Sequence, residues 1–167
     1  MNYIKITTAD IANGSGVRCT LWVSGCSHHC HGCQNPTTWD PAGGIPFVEE
    51  TMQELLDLLR HDYIRGLTFS GGDPLFVQNR LIVGYICERV RKEFGDAKDI
   101  WMWTGYDWDQ VKTLPLMHNV DVIVDGPYIE AERDISLPWA GSRNQRVIDV
   151  QQSLAKGEVV LWGTKQI

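Results

Sequence analysis

The chain has 167 residues, of which 43% are hydrophobic and 22% are charged, and its net charge is −6. This length and composition predict one globular domain over residues 1–167, with a single hydrophobic core. The acidic balance disfavours nucleic acid as a partner, because a nucleic-acid footprint needs a basic face. No apolar run approaches the roughly 18–20 residues of a membrane span, and the N-terminus lacks a signal-peptide pattern. We therefore expect a cytoplasmic protein that has no membrane partner.

Apolar patterning predicts strands and helices that alternate along the chain. Positions 52, 55, 56 and 59 carry apolar residues at helical spacing, which is typical of a helix that buries one face. The predicted elements, in chain order, are a strand at 19–24, a helix at 47–61, a strand at 66–70, a helix at 77–94, a strand at 99–105, a short helix at 107–114 and a strand at 120–126, followed by loops with one or two further strands.

This alternation predicts an α/β fold with a mostly parallel sheet. The run VDVIVDG is continuously apolar, as strands buried on both faces of a parallel sheet are. The chain is too short for the eight strand–helix units of a closed barrel. We therefore expect an open partial (β/α) barrel of about five to six mostly parallel strands.

Four unusual loops each follow a predicted strand directly. They are GCSHHCHGC at 25–33, SGGDP at 70–74, WTGY at 103–106 and DGPY at 125–128. In parallel β/α architectures the carboxyl ends of the strands lie on one face, and that face carries the active site. The four loops are therefore expected to converge in space.

The first of these loops holds Cys26, Cys30 and Cys33 in a C-x3-C-x2-C spacing. Cys19 and Cys87 lie apart from it and are expected to be small buried apolar residues. Thiolates are soft ligands that favour zinc, copper(I) or iron–sulfur clusters. Two alternatives remain open: a closed Cys3His zinc site, or a four-iron, four-sulfur cluster in which one iron has no protein ligand. The histidines available to the zinc site are His28, His29 and His31.

The cysteine spacing resembles the signature of the radical S-adenosylmethionine (SAM) superfamily. In that family, the methionine part of SAM chelates the iron that lacks a protein ligand, which implies why three thiols are present. Gly71, Gly72 and Asp73 follow the next predicted strand. The resemblance implies that this glycine pair lets the backbone approach the SAM ammonium group, with Asp73 where the family often has glutamate.

A closer resemblance connects the chain to the activating proteins of anaerobic ribonucleoside-triphosphate reductases. It rests on NGSGVR at 13–18, GCQNPTTW at 32–39, GLTFSGGDPL, IWMWTGY, VDVIVDG and GSRNQR, in this order. The resemblance implies that a reduced [4Fe–4S] cluster cleaves SAM, and that the resulting 5′-deoxyadenosyl radical creates a glycyl radical on the large reductase subunit. It also implies an electron donor such as flavodoxin.

The residue that contacts adenine departs from the superfamily pattern. Many radical SAM proteins carry an aromatic residue before the third cysteine, where this chain has Gly32. We therefore expect Trp103 and Tyr106 to supply the aromatic contact. Asp125, at the end of a predicted strand, is expected either to contact the cofactor or partner or to cap the following turn.

Two alternative functions remain at this point. One is another small radical SAM enzyme, of the pyruvate formate-lyase activase or 7-carboxy-7-deazaguanine synthase type. The other is a binding module without catalysis that a Cys3His zinc site stabilises.

Overall fold

The computed structural model describes residues 1–163, which form seven strands and four α-helices. The strands are β1 (Asn2–Asp10), β2 (Arg18–Val23), β3 (Ile45–Pro46), β4 (Gly66–Gly71), β5 (Asp99–Trp103), β6 (Val122–Asp125) and β7 (Arg146–Asp149). The helices are α1 (Glu49–Leu59), α2 (Arg80–Phe94), α3 (Trp108–Val111) and α4 (Val150–Lys156). Short 3-10 turns connect several of these elements.

All seven strands belong to one open sheet, in the order β3-β1-β2-β4-β5-β6-β7. Strands β2, β4, β5 and β6 run parallel to their neighbours in this series, whereas β1, β3 and β7 pair antiparallel. The predicted α/β class is confirmed. The predicted count of five to six mostly parallel strands is wrong, because three antiparallel strands extend the four-stranded parallel centre at both edges.

The two faces of the parallel strands have different surroundings, as the two-residue period of a strand requires. Leu67, Phe69, Ile100 and Met102 belong to the same buried cluster as the apolar side chains of α1 and α2. The alternate positions of these strands carry polar and aromatic residues on the opposite face. They include Thr68, Ser70, Trp101 and Trp103. The helices therefore cover one face of the sheet, while the other face is available to line a cavity.

The amino ends of the parallel strands are held together by Arg18, which is completely buried. Its guanidinium lies 2.6 Å from Oδ1 of Asp99 and donates a hydrogen bond to the backbone oxygen of Leu67. One side chain thereby connects β2, β4 and β5 at this edge. The cysteine loop follows Val23 and lies at the opposite edge of the sheet.

Among residues 1–163, no helix has the length and apolar character that crossing a membrane requires.

Candidate active site

The loops that follow the four parallel strands meet at the carboxyl edge of the sheet and surround a cavity of about 520 Å3. Seven of the ten predicted site residues line this cavity: Cys26, Cys30, Cys33, Gly71, Gly72, Asp73 and Trp103. The other three lie outside its lining: Gly32, Tyr106 and Asp125. The parallel strands therefore bring together residues that are up to 77 positions apart in the sequence.

Backbone hydrogen bonds fix the start of the cysteine loop. The amide of Gly25 donates to the carbonyl oxygen of Thr38 at 2.8 Å, and the amide of Cys26 donates to that of Trp39 at 3.1 Å. Gly25 adopts a φ of 97°, a conformation that glycine reaches readily. The first cysteine therefore leaves β2 in a defined direction, towards the cavity.

The three cysteines of the loop are free thiols, as are the other two cysteines of the chain. The amide of Cys33 donates to the carbonyl oxygen of Cys30 at 3.1 Å, and the amide of Asn35 donates to Sγ of Cys33 at 3.3 Å. Burial raises the pKa of the Cys26 thiol. Three soft donors on one wall of a cavity fit an iron–sulfur cluster, and a positively charged metal centre favours the thiolate form.

Each histidine of the cysteine loop has a neighbour of its own. The ring of His29 stacks on Trp39 with 4.7 Å between ring centroids. Nδ1 of His31 lies 2.5 Å from Oε2 of Glu130 at the surface. His28 is turned inward and lines the cavity. Within the described part of the chain, no three histidine, cysteine, aspartate or glutamate side chains form a group that could hold one shared metal ion. A cluster makes a different demand, because each thiol binds a separate iron.

The glycine pair after β4 packs backbone against backbone. Gly71 has a φ of 97°, and a Cβ added to Gly72 would lie 2.6 Å from the carbonyl oxygen of Gly25. The amides of Gly72 and Asp73 donate to the carbonyl oxygens of Val23 and Gly25, both at 2.8 Å. The pair is therefore required for close contact with the cysteine loop, and its contact with the SAM ammonium group stays a prediction.

Asp73 lies at the bottom of the cavity, and its side chain is 2% exposed. Its carboxylate accepts hydrogen bonds from the amide of Leu75 at 2.8 Å, the hydroxyl of Thr104 at 2.9 Å and the amide of Gly105 at 3.0 Å. Nε2 of His28 lies 2.9 Å from Oδ2. A carboxylate that sequence analysis assigned to the cofactor thus also connects three loops of the protein.

Tyr106 and Gly32 lie beside the cavity lining. The ring of Tyr106 meets the ring of His28 edge-on, with centroids 4.6 Å apart, and the guanidinium of Arg80 lies 5.3 Å from its centroid. Gly32 adopts a φ of 71°, and a Cβ there would lie within 3 Å of the Glu130 carboxylate. Of the two aromatic residues expected to meet adenine, the structure places only Trp103 on the cavity wall.

Asp125 is buried below the loop that follows β6. Its carboxylate accepts hydrogen bonds from the guanidinium of Arg146, at 2.5 and 3.1 Å, and from the backbone amide of Trp108, at 2.8 Å. The hydrogen bond to Asp125 raises the pKa of Arg146. The amide of Trp108 begins α3, which precedes β6 in the chain, so the carboxylate holds the start of α3 and, among the described residues, accepts no hydrogen bond from the turn after Asp125. Its contact with the cofactor or partner stays a prediction.

The segment 127–145 supplies a further wall of the cavity, although the sequence indicated only its two ends, in the motifs DGPY and GSRNQR. Tyr128, Leu137 and Trp139 line this wall, and the indole nitrogen of Trp103 donates to the carbonyl oxygen of Trp139 at 2.8 Å. Gln145 holds the segment in place by donating to the carbonyl oxygen of Gly126 at 2.9 Å. The segment has no regular periodicity that would have indicated its position.

The inner face of the sheet supplies Trp22 and Ser70 to the same cavity, and these residues were missed. Their signal in the sequence was strand alternation. Both occupy positions that alternate with residues of the helix-side core, such as Leu21 and Phe69.

Comparison with known proteins shows the class of domain to which the chain belongs. Residues 12–148 match the family model described as a 4Fe-4S single cluster domain. Three relatives carry the name anaerobic ribonucleoside-triphosphate reductase-activating protein. They come from Enterobacteria phage T4 (44% identity over 88% of this chain and 93% of the relative), Pasteurella multocida (42%, over 87% and 95%) and Escherichia coli K12 (41%, over 88% and 97%).

The family match covers more than half of the chain, and each alignment covers nearly the whole relative. The chain therefore belongs to the family of anaerobic ribonucleoside-triphosphate reductase-activating proteins.

Proposed function

We propose that the protein is an activating enzyme of the radical SAM type. It reductively cleaves SAM at a [4Fe–4S] cluster and generates a glycyl radical on an anaerobic ribonucleoside-triphosphate reductase. The observation that carries this proposal is the wall of three free thiols, Cys26, Cys30 and Cys33, in a cavity shared with the Gly71–Gly72 backbone. Family membership supports the same reductase as the target.

The three cysteines would each hold one iron of the cluster, which leaves the fourth iron for a non-protein ligand. When bound, the cluster and SAM supply the electron transfer and carbon–sulfur cleavage that give the 5′-deoxyadenosyl radical. The four parallel strands, with the cavity at their carboxyl ends, support a radical SAM-type partial barrel.

The chain's own residues bind SAM, orient it and exclude water from the cavity. Trp103 stands on the cavity wall as an aromatic surface for adenine, and Trp139 stands close to it. The backbone around Gly71 and Gly72 offers a close approach for the amino group of SAM. Asp73 orders the loops around it. No side-chain acid or base is required for the chemistry.

Several further features of the proposal follow from the same resemblance. The protein substrate is the large reductase subunit, and the electron donor is a small redox protein such as flavodoxin. The five free thiols support a reducing, cytoplasmic compartment. A single sheet that includes every described strand supports one domain over residues 1–167. Four of these residues, 164–167, lie outside the described part of the chain.

Anaerobic reconstitution with iron and sulfide tests the cofactor. We expect a brown protein with about four irons per chain that cleaves SAM when reduced. Alanine in place of Cys26, Cys30 or Cys33 should abolish SAM cleavage, whereas Cys19→Ala and Cys87→Ala should retain it. A colourless protein that binds one zinc and leaves SAM intact would refute the enzyme and support the zinc-stabilised binding module.

Radical transfer tests the partner. Reduced protein and SAM are mixed separately with anaerobic ribonucleoside-triphosphate reductase and with pyruvate formate-lyase, and electron paramagnetic resonance detects a glycyl radical. We expect the radical on the reductase and none on pyruvate formate-lyase. A radical on pyruvate formate-lyase alone would move the assignment to the other activase type, and SAM cleavage without a radical on either protein would favour a small-molecule substrate.

A further inference from the structure

His28 occupies a position of its own among the loop histidines. It lies between the first two cysteines, yet its side chain is only 19% exposed. Its ring enters a slot between the loops that follow β4 and β5. Nε2 lies 2.9 Å from Oδ2 of Asp73, and the ring packs edge-on against Tyr106. The side chain thus reaches across to two loops that are distant in the sequence.

The slot is built from hydrogen-bonded groups and fits the imidazole ring closely, although Nε2 faces the Asp73 carboxylate without hydrogen-bond geometry. Three hydrogen-bond donors hold the Asp73 carboxylate in place, and all three come from the loops after β4 and β5. Gly105 forms one side of the slot, and a Cβ there would lie 2.5 Å from Cδ2 of His28. Any side chain larger than hydrogen at Gly105 would therefore displace the ring.

His28 and His29 lie in the turn between Cys26 and Cys30, shortly after the first thiol. Burial raises the pKa of the Cys26 thiol, and the backbone N–H groups of His28 and His29 lower it by a smaller amount. His29 adopts a left-handed φ of 47° to complete this turn. Such N–H donors to a ligand sulfur stabilise the thiolate and adjust the potential of a cluster.

We propose that His28 is a positioning residue for the cysteine loop. Its side chain binds the Asp73–Tyr106 slot and thereby holds the turn between Cys26 and Cys30 in place before any cluster is present. Apart from the bond of the Cys26 amide to Trp39, the only backbone–backbone hydrogen bond of residues 26–33 outside regular elements joins Cys33 to Cys30, so this side chain orders a part of the loop that the backbone does not. The consequence for cluster retention rests on the proposed function, whereas the ordering of the loop does not.

The test compares variants at His28 with a matched variant at His31, which is 94% exposed in the same loop. His28→Phe keeps a ring against Tyr106 but has no nitrogen to face Asp73. His28→Gln restores an N–H group near that carboxylate. Hydrogen exchange of the loop amides is measured by mass spectrometry on the apo protein, and the rate of iron loss to a chelator is measured on the reconstituted protein without oxygen.

For His28→Phe we expect amide exchange in the loop and iron loss to be faster by about tenfold or more, the lower end of typical effects of such outer contacts. His28→Gln should recover most of the difference. His31→Gln should stay within about twofold of the wild type, because exposed ion pairs contribute little. A shift in the cluster's reduction potential should appear in His28→Phe and not in His31→Gln.

Equal loop exchange in the wild type and in His28→Phe would overturn the proposal, as would an equal effect of His31→Gln. If His28→Phe fails to fold, Thr104→Val provides the second test, since it removes one donor that fixes Asp73, and unchanged loop exchange in that variant would also overturn the proposal. A wild type that takes up no iron would refute the proposed function instead, and apo exchange would still decide the role of His28.

Discussion

At the residue scale, Gly72 and Gly84 have different steric surroundings, which the sequence alone does not indicate. A Cβ on Gly72 would lie 2.6 Å from the carbonyl oxygen of Gly25, and this neighbour is backbone that cannot rotate away. A Cβ on Gly84, within α2, would meet its nearest atom, Cβ of Leu116, at an ordinary 3.6 Å. Only the first position therefore requires glycine.

Gly72→Ala should lower the free energy of unfolding by about 2–3 kcal/mol, the upper part of the range for inserting an atom into a packed site. Gly84→Ala should raise it by about 0.5–1 kcal/mol, because alanine favours a helix over glycine. Chemical denaturation of both apo variants under reducing conditions measures the two changes. Equal effects of the two substitutions would show that Gly72 does not contact the cysteine loop as described.

Residue spacing was enough to identify the three thiols as a group, because their separation along the chain is short. It was not enough to assign the histidines, since the partners of His28, Asp73 and Tyr106, lie 45 and 78 residues later in the chain. For the same reason Asp73 was expected to face only the cofactor. Its contacts with Thr104 and Gly105 depend on the parallel pairing of β4 with β5, which no local pattern reports.

At the scale of elements, the carboxylate of Asp99 contacts two arginines that differ in burial. Arg18 is fully buried and connects β2, β4 and β5, whereas the side chain of Arg65 is largely exposed and approaches the second oxygen at 2.9 Å. Breaking a buried ion pair leaves polar groups without partners in a dry environment, whereas losing an exposed pair is compensated by water.

Arg18→Met should therefore lower the free energy of unfolding by about 3 kcal/mol or more. Arg65→Met should change it by less than about 1 kcal/mol. Because Arg18 lies at the amino edge of the strands, we expect Arg18→Met to retain cluster uptake at temperatures where it stays folded. Urea denaturation of both variants gives the comparison, and a smaller loss for Arg18→Met than for Arg65→Met would contradict the assignment.

The pairing of β6 with β7 offers a second comparison within an element. Asp125 is buried and paired with Arg146, its direct neighbour across the two strands. Arg143 lies three residues earlier, and both arginine side chains are exposed, so the two differ in that Arg146 pairs with a buried carboxylate. Both arginines appear in the motif GSRNQR, and the sequence does not distinguish them.

Arg146→Met should lower the free energy of unfolding by about 2–3 kcal/mol, because it leaves a buried carboxylate with only one donor, the amide of Trp108. Arg143→Met should change it by less than about 0.5 kcal/mol. Thermal unfolding, followed by circular dichroism, measures both. Arg146→Lys should recover only part of the loss, since lysine cannot make the two-nitrogen contact of a guanidinium.

The elements that sequence analysis found were those with the clearest periodicity. Helices α1 and α2 and the four parallel strands carry long apolar patterns. The structure confirms these six elements, and their observed ends differ from the predicted ends by a few residues. Strand β1 was missed because only Tyr3 and Asp10 of its nine residues are buried, so NYIKITTAD carries no apolar face that a periodic pattern would report. Strand β3 has two residues and exists only because β1 provides its partner.

At the scale of the whole molecule, the sheet separates a dry core from a cavity. Helices α1 and α2 cover one face, where Cys19 and Cys87 are buried among apolar side chains. Burial raises the pKa of each of these thiols from 9.0 to about 12. Neither thiol belongs to the cysteine loop, so their titration reports on the stability of the fold and not on the cavity.

This arrangement predicts how stability depends on pH. In the folded protein Cys19 and Cys87 keep their protons up to a pH of about 12, whereas the unfolded chain releases them near pH 9. The two protonated thiols therefore make their full contribution to the free energy of unfolding below pH 9. This contribution is lost as the pH rises towards 12, at up to about 1.4 kcal/mol per pH unit for each thiol. Denaturation of the apo protein between pH 7 and 10.5, without oxygen, should show a shallower decline in Cys87→Ala. Ile86→Val, a neighbouring core substitution that adds no titratable group, should keep the wild-type slope, and identical slopes in all three proteins would place the Cys87 thiol in contact with water.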